Sequence, residues 1–212
     1  MATISIGDDV FTRLPPRALE AISPEVRDGD ILLCAAKDPF SRLIGWSTKS
    51  PWSHVAVACR WPALDRLMAF ECVEHLGVHA VSLSKFISQT SGGTRPYPGR
   101  ILLARHDDLA KRDGDQGVDD LKPLAQFAID HMGDRFSGGE VVKIATRILV
   151  GRIERHMPRS LGPSNEFICS EFVARCFQSI GIQIAWDGLG FIAPADFALD
   201  PKIQAVAQIQ TR

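Results

Sequence analysis

The chain has 212 residues, of which 45% are apolar, and a formal net charge of -1 at neutral pH. This length suits one domain with a sizeable core, and the balanced charge gives no reason to expect a nucleic-acid partner. The sequence has neither a long uncharged apolar run nor a basic, apolar leader at its start. We therefore expect a cytoplasmic protein without a transmembrane helix, while export independent of a signal peptide stays open.

Residues 1–27 are predicted to form a polar leader, because prolines interrupt the segment. The later elements are short apolar runs bounded by breakers, and we predict strands at 29–34, 52–59, 67–73, 77–83 and 101–104 and helices at 38–51, 121–132, 141–153 and 169–180. Alternation in the second strand places His54, Ala56 and Ala58 on one face. Several strands in series with helices around them predict an α+β domain.

The cysteines indicate reduced thiols rather than a disulfide framework, because they are odd in number and lack paired spacing. They are Cys34, Cys59, Cys72, Cys169 and Cys176. The first three lie in apolar runs typical of a core, and Cys176 lies on the buried stripe of a predicted helix. No cluster has the spacing of zinc ligands, so we predict no metal and no cofactor.

Cys169 differs from the other cysteines because it opens a predicted amphipathic helix, after the turn-forming Pro163-Ser164-Asn165. The partial positive charge at a helix N-terminus stabilises a thiolate and lowers the pKa of the thiol. Taken alone, the residue also fits a structural role. A histidine on a rigid strand, such as His54, can serve such a thiol as a base.

Glu71 is the candidate third group. If the hairpin closes around Pro62-Ala63, counting pairs position 54 directly with position 71. Opposed residues share a face with Cβ atoms about 5 Å apart. A carboxylate in the middle of an apolar strand is costly without a partner, so we expect Glu71 to contact His54.

The remaining histidines are expected to be solvated surface residues: His75, His79, His106, His131 and His156. His75 and His79 have the i,i+4 spacing of a zinc-binding helix, but Gly77 and its strand-like surroundings disfavour a helix there. Near the C-terminus, Asp187, Asp196 and Asp200 are predicted to be turn and cap residues.

The order of these motifs resembles the circularly permuted branch of the papain-like NlpC superfamily, in particular its YiiX/YaeF-type amidases. The similar segments are Gly29-Asp30-Ile31-Leu32, Ser53-His54-Val55-Ala56-Val57, the glutamate on the next strand, Gly77-Val78, Met132-Gly133-Asp134-Arg135-Phe136, Ile168-Cys169-Ser170-Glu171-Phe172-Val173 and Ala193-Pro194-Ala195-Asp196-Phe197. Phe136 stands where the family pattern has tyrosine. The resemblance covers roughly residues 28–198.

The resemblance implies a papain-like antiparallel sheet packed against the helix that bears the nucleophile. It makes Cys169 the nucleophile, His54 the base and Glu71 the group that orients His54. It also suggests domain boundaries: a leader at 1–27, one catalytic domain at 28–200 with an insertion at about 137–163, and a tail at 201–212.

For function, we predict a cysteine-nucleophile hydrolase that cleaves an amide or peptide bond, in a cell-wall peptide or a small amino-acyl amide, through an acyl-enzyme thioester. Trp46, Trp52, Ser53 and Ser170 are the candidate substrate-binding residues. Two alternatives stay open: a lipid-directed acyltransferase or lipase with the same trio, and a non-enzymatic interaction domain.

Residues 141–159 bear on the lipid alternative. They combine apolar residues with five basic side chains, Lys143, Arg147, Arg152, Arg155 and Arg159. A basic amphipathic helix can lie weakly on an anionic membrane, but the same pattern fits a helix that covers the core and shows its charges to water. The partner is therefore a small peptide, amide or lipid substrate, and the oligomeric state stays open.

Overall fold

The structure is a computed structural model that describes residues 4–7, 9–37, 39–88, 97–110, 121–136, 166–186 and 192–211. Across those ranges, no helix combines the length and the apolar character needed to cross a bilayer. The predicted helix at 141–153, the insertion at about 137–163 and Asp187 lie outside the described residues.

The strands are β1 (Ile4–Ser5), β2 (Pro16–Arg17), β3 (Asp30–Ala36), β4 (His54–Trp61), β5 (Arg66–Val73), β6 (Gly77–Ser82), β7 (Gly99–His106), β8 (Arg135–Phe136), β9 (Glu166–Phe167) and β10 (Ile203–Ile209). The α-helices are α1 (Val10–Arg13), α2 (Leu19–Ile22), α3 (Pro39–Thr48), α4 (Leu83–Ser88), α5 (Asp107–Ala110), α6 (Lys122–Asp130), α7 (Cys169–Gln178) and α8 (Pro194–Leu199). Two 3₁₀ turns occupy Ser23–Glu25 and Pro62–Leu64.

One mixed sheet organises the fold. Its strands run in the order β1-β10-β7-β3-β4-β5-β6, and β2 adds a parallel contact to β10. The other pairings in this sheet are antiparallel, while β8 and β9 form a separate parallel pair. A sheet of this kind with helices packed on it confirms the α+β prediction.

The sheet has a separate hydrophobic core on each face, which follows from the alternation of side chains along its strands. Val55 and Val57 belong to the core that includes the buried residues of α7. Ala56 and Ala58 belong to the other core, with the apolar residues of α4. The helix predicted at 169–180, which is α7 in the structure, therefore packs on one face of the sheet, along β4 and β5.

The predicted leader is wrong as a description of residues 4–27, because these residues are part of the sheet and its cores. β1 and β2 pair with β10, and Ile22 and Val26 are buried. Each of these strands is two residues long. Strands this short pair through backbone hydrogen bonds and are too short to show a side-chain period. The sequence pattern therefore did not predict them.

The predicted tail is also part of the sheet. β10 lies between β1 and β7, and most of its residues are buried. Just before it, the cap prediction is confirmed for two aspartates. Asp196 accepts the Ala193 N–H at 2.7 Å at the start of α8, and Asp200 accepts the N–H groups of Ala185 and Lys202 at 2.8 and 2.9 Å.

Candidate active site

His54 is held where β4 begins. The residue before it, Ser53, is buried; its N–H donates to the Cys34 carbonyl at 2.9 Å, and its hydroxyl accepts the Ala36 N–H at 3.2 Å. The antiparallel register places His54 directly opposite Cys34 on β3. The backbone of His54 is therefore fixed by a central pair of strands, as a rigid catalytic position requires.

The predicted register between β4 and β5 is wrong by two residues. Val57 pairs with Phe70, so Glu71 lies opposite Ala56 rather than opposite His54. The cause is the hairpin loop, in which the 3₁₀ turn Pro62–Leu64 leads into Asp65 with φ +48°. This four-residue loop moves the centre of the hairpin one residue further along the chain than a two-residue turn would.

A slip of two residues preserves the face of every side chain, because strands alternate with a period of two. His54 and Glu71 therefore still lie on the same side of the sheet, as diagonal neighbours. Their side chains meet: His54 Nε2 is 2.6 Å from Glu71 Oε2. Glu71 is fully buried, while the His54 side chain is 17% exposed.

Glu71 has a second imidazole partner that the sequence analysis did not anticipate. His79 lies directly opposite Glu71 on β6, and its Nε2 is 3.3 Å from Glu71 Oε1. Each carboxylate oxygen therefore faces one histidine. The expectation of a solvated His79 is wrong, and an available signal was missed: a short turn after Val73 would have paired positions 71 and 79.

Cys169 is the first residue of α7. The preceding Ile168 is extended, with φ -93° and ψ 159°, and its carbonyl accepts the Phe172 N–H at 3.0 Å in the first helical hydrogen bond. The Cys169 sulfur lies close enough to the His54 side chain and to the backbone N–H groups of Val55 and Ser170 for all three to lower the pKa of its thiol. Cys169 retains 7% exposure.

The electrostatics of the pair favour charge separation. Burial is the largest influence on Cys169 and opposes its ionisation, but the charge and hydrogen bond of His54 and the two N–H groups lower the pKa of the thiol below its usual value. Burial likewise opposes a charged His54. The contact with Cys169, and after it the smaller effect of Glu71, raises the pKa of His54 to about 10. The arrangement thus stabilises a thiolate beside an imidazolium.

The other four cysteines behave differently. Cys34, Cys59, Cys72 and Cys176 are buried, and burial raises the pKa of each thiol. The core placement predicted for them is confirmed. Cys169 is therefore set apart from the other thiols of the chain by its surroundings as well as by its position on the helix.

The candidate substrate-binding residues divide into three buried side chains and one exposed one. Trp52 is buried, and its ring centroid lies 5.3 Å from that of Phe11. The Ser170 hydroxyl donates to the Ile192 carbonyl at 2.7 Å, and Ser53 is engaged as described above. These contacts place Trp52, Ser53 and Ser170 inside the fold, and their role in substrate binding stays a prediction. Trp46 on α3 is 57% exposed and stays a candidate.

His106 also departs from its predicted surface position. It is fully buried, its Nδ1 accepts the Asp108 N–H at 3.1 Å, and its ring lies 6.1 Å from that of Phe177. Its Nε2 has no hydrogen-bond partner among the described residues. Burial is the main cause that lowers the pKa of His106. This histidine is a core residue that is kept neutral.

In the described part of the chain, no group of three or more histidine, cysteine, aspartate or glutamate side chains is arranged to hold a metal ion. The imidazoles of His54 and His79 both direct their Nε2 atoms at the Glu71 carboxylate.

Comparison with known proteins gives a fold and no family. No family model matches the chain, and no curated protein matches it. Among solved structures, it is similar to the crystal structure of metalloprotein YiiX (DUF1105) from Escherichia coli O157:H7. The TM-score is 0.59 at 17% sequence identity, over 86% of this chain and 97% of that one. The chain thus has a YiiX-like fold.

Proposed function

We propose that this protein is a papain-like thiol hydrolase that cleaves an amide or peptide bond through an acyl-enzyme thioester. The observation that carries the proposal is the series from Cys169 through His54 to Glu71: His54 lies 2.6 Å from the buried Glu71 carboxylate, and Cys169 and His54 shift each other's pKa toward the charged forms. Its order, thiol to imidazole to buried carboxylate, is that of nucleophile, base and orienting group. The YiiX-like fold supports the proposal as an analogy.

In the proposed reaction, the Cys169 thiolate attacks the carbonyl carbon of the amide. The tetrahedral intermediate collapses to a thioester as His54 donates its proton to the leaving amine. His54 then accepts a proton from water as the water oxygen attacks the thioester. The carbon–sulfur bond breaks, which releases the carboxylic acid and restores the Cys169 thiolate beside protonated His54. Glu71 remains ionised, holds the imidazole ring by Nε2 and stabilises its charged form.

The oxyanion of the intermediate needs preorganised donors. The N–H of Cys169, the first residue of α7, has no acceptor within the helix and lies at its positive end. It is the proposed donor. The N–H groups of Val55 and Ser170 lower the pKa of the Cys169 thiol, so they serve the thiolate before attack.

The YiiX structure is that of a metalloprotein, but the described residues of this site do not fit a metal. The Nε2 atoms of His54 and His79 are both directed at Glu71, and the described donors form no cluster of three. The lipid alternative depended on residues 141–159, which lie outside the described residues.

The test is acyl trapping. The protein is mixed with an activated p-nitrophenyl ester, quenched in acid and analysed by intact mass and peptide mapping. We expect one acyl group on Cys169, which Cys169→Ala abolishes. Cys176→Ala is the matched control, because this buried thiol lies on the same helix with a raised pKa, and it should leave the adduct in place. An unlabelled Cys169 would refute the proposal.

A further inference from the structure

His79 lies outside the three groups used above, yet it contacts the most buried of them. Glu71 has no exposed surface, and a carboxylate at such a site is unfavourable unless its charge and its oxygens are satisfied. His54 takes one oxygen and His79 the other. The two histidines come from the strands on either side of β5.

The geometry explains why a second partner matters. His79 lies directly opposite Glu71, whereas His54 is a diagonal neighbour, and diagonal positions are about 7–8 Å apart. The Glu71 side chain must therefore lean along the strand to reach His54. The terminal torsion of a glutamate is broad, so a single hydrogen bond leaves the plane of the carboxylate poorly fixed. A second donor on the other oxygen fixes it.

His79 is itself held on both sides of its ring. Nε2 faces the Glu71 carboxylate at 3.3 Å, and Nδ1 lies 3.4 Å from the Gly77 carbonyl oxygen. Because both neighbours are acceptors, the form of His79 that satisfies both is the imidazolium, with an N–H on each nitrogen. The charged groups that act on it are Glu71 on β5, which favours this form, and His54 on β4, which opposes it.

The backbone that carries His79 is also pinned. The Val78 N–H donates to the Asp134 carbonyl at 2.9 Å, and the Gly133 N–H donates to the Val78 carbonyl at 2.8 Å. Gly77 has φ +68°, and a Cβ there would stand 2.0 Å from the Asp134 oxygen. Gly133 and Asp134, which follow α6, thus hold the backbone of β6 in place beside His79.

We propose that His79 is a positioning residue that holds Glu71 in the orientation in which the carboxylate fixes His54. This inference rests on the proposed function and adds a fourth member to its site. His79 acts through Glu71 and does not touch the Cys169 sulfur in the proposed reaction.

The test measures the rate at which iodoacetamide alkylates Cys169 as a function of pH, with peptide mapping to exclude other thiols. His79→Leu removes the donor at similar size, His79→Gln keeps an N–H donor, and His75→Leu alters an exposed histidine in the neighbouring turn. We expect His79→Leu to slow alkylation near neutral pH roughly tenfold by loosening Glu71, and His79→Gln and His75→Leu to stay near the wild-type rate.

A double-mutant cycle separates positioning from a general loss of structure. If His79 acts through Glu71, His79→Leu should have no further effect in a Glu71→Gln background. An equal slowing in both backgrounds, or no slowing in the wild-type background, would overturn the inference. Circular dichroism checks that each variant folds, and His79→Ala replaces His79→Leu in the same cycle should the latter fail to fold.

The two proposals fail in different ways. If wild-type Cys169 shows the reactivity of an ordinary buried thiol, the proposed function fails. If wild-type Cys169 is reactive and His79→Leu leaves its pH profile unchanged, the role of His79 alone is refuted.

Discussion

His54 and Glu71 meet at 2.6 Å although they are two residues out of direct register on neighbouring strands. The contact survives because Glu71 is fully buried on the same face and leans toward the start of β4. The contact places a negative charge behind the imidazole that faces Cys169. Substitutions at this contact therefore give the sharpest tests of the proposed site.

Glu71→Gln should keep the shape of the contact and remove its charge. An opposite charge at this distance shifts a pKa by one to three pH units, so we expect the pKa of His54 to fall and that of the Cys169 thiol to rise. Alkylation of Cys169 at about pH 6.5 should slow at least about tenfold. Glu74→Gln, at an exposed glutamate three positions along, should have no effect; equal slowing in both variants would contradict the account.

The sequence predicted the meeting of Cys169, His54 and Glu71 better than it predicted the pairing of the strands. β3, β4, β5 and α7 have strong apolar periodicity, and three of these elements, β4, β5 and α7, carry His54, Glu71 and Cys169. Because the side-chain period of a strand is two, even the misplaced hairpin centre left Glu71 on the correct face. The contact between His54 and Glu71 therefore survived an error in register.

The features that the sequence analysis did not predict depend on contacts between residues that are far apart along the chain. β1 and β2 exist because β10 offers them backbone hydrogen bonds from the far end of the molecule. His79 and His106 were expected at the surface because their sequence neighbours are polar. The position of His79 is decided by its pairing with Glu71 on β5, and that of His106 by its contact with Phe177. The local sequence pattern therefore could not predict these strands or the positions of these histidines.

Asp30, the first residue of β3, should be a structural anchor. It is fully buried, Arg105 donates to it at 2.6 and 2.7 Å, and the Arg27 N–H donates at 2.8 Å. Arg105→Met leaves this carboxylate without its counter-charge and should lower the free energy of unfolding by about 3–5 kcal/mol, measured by urea denaturation.

The exposed pair of Arg13 and Asp9 provides the control for that experiment. Arg13→Met should cost no more than about 1 kcal/mol, because water screens the charges. Similar losses in the two variants would show that the burial of Asp30 does not govern its contribution.

His106 should make the protein sensitive to acid. Its pKa is lowered by burial in the folded state, so the unfolded chain binds the proton more tightly. Stability should therefore be lost as the pH falls through the unfolded value of about 6.5 and toward the lower folded value. His106→Leu should reduce the decline in melting temperature between about pH 7 and 5. An unchanged decline would refute this role, and His75→Leu is the exposed control.

Gly77→Ala should be more costly than a matched change at another glycine with positive φ. Gly77 and Gly181 have φ of +68° and +75°, but a Cβ at Gly77 meets the Asp134 carbonyl, whereas nothing lies within 4 Å of one at Gly181. Gly181→Ala carries only the conformational cost, about 1–2 kcal/mol, while Gly77→Ala adds a clash for a total of about 2–4 kcal/mol. Equal losses in denaturant melts would contradict the structure.

The most direct test of the central claim is a pH titration of the ultraviolet absorbance of the Cys169 thiolate, taken as the difference between the wild type and Cys169→Ala. The account predicts a midpoint below the usual thiol pKa, which returns toward or above that value in His54→Ala. A wild-type midpoint at or above the usual thiol value, unchanged by His54→Ala, would contradict the thiolate–imidazolium pair and the proposed hydrolase with it.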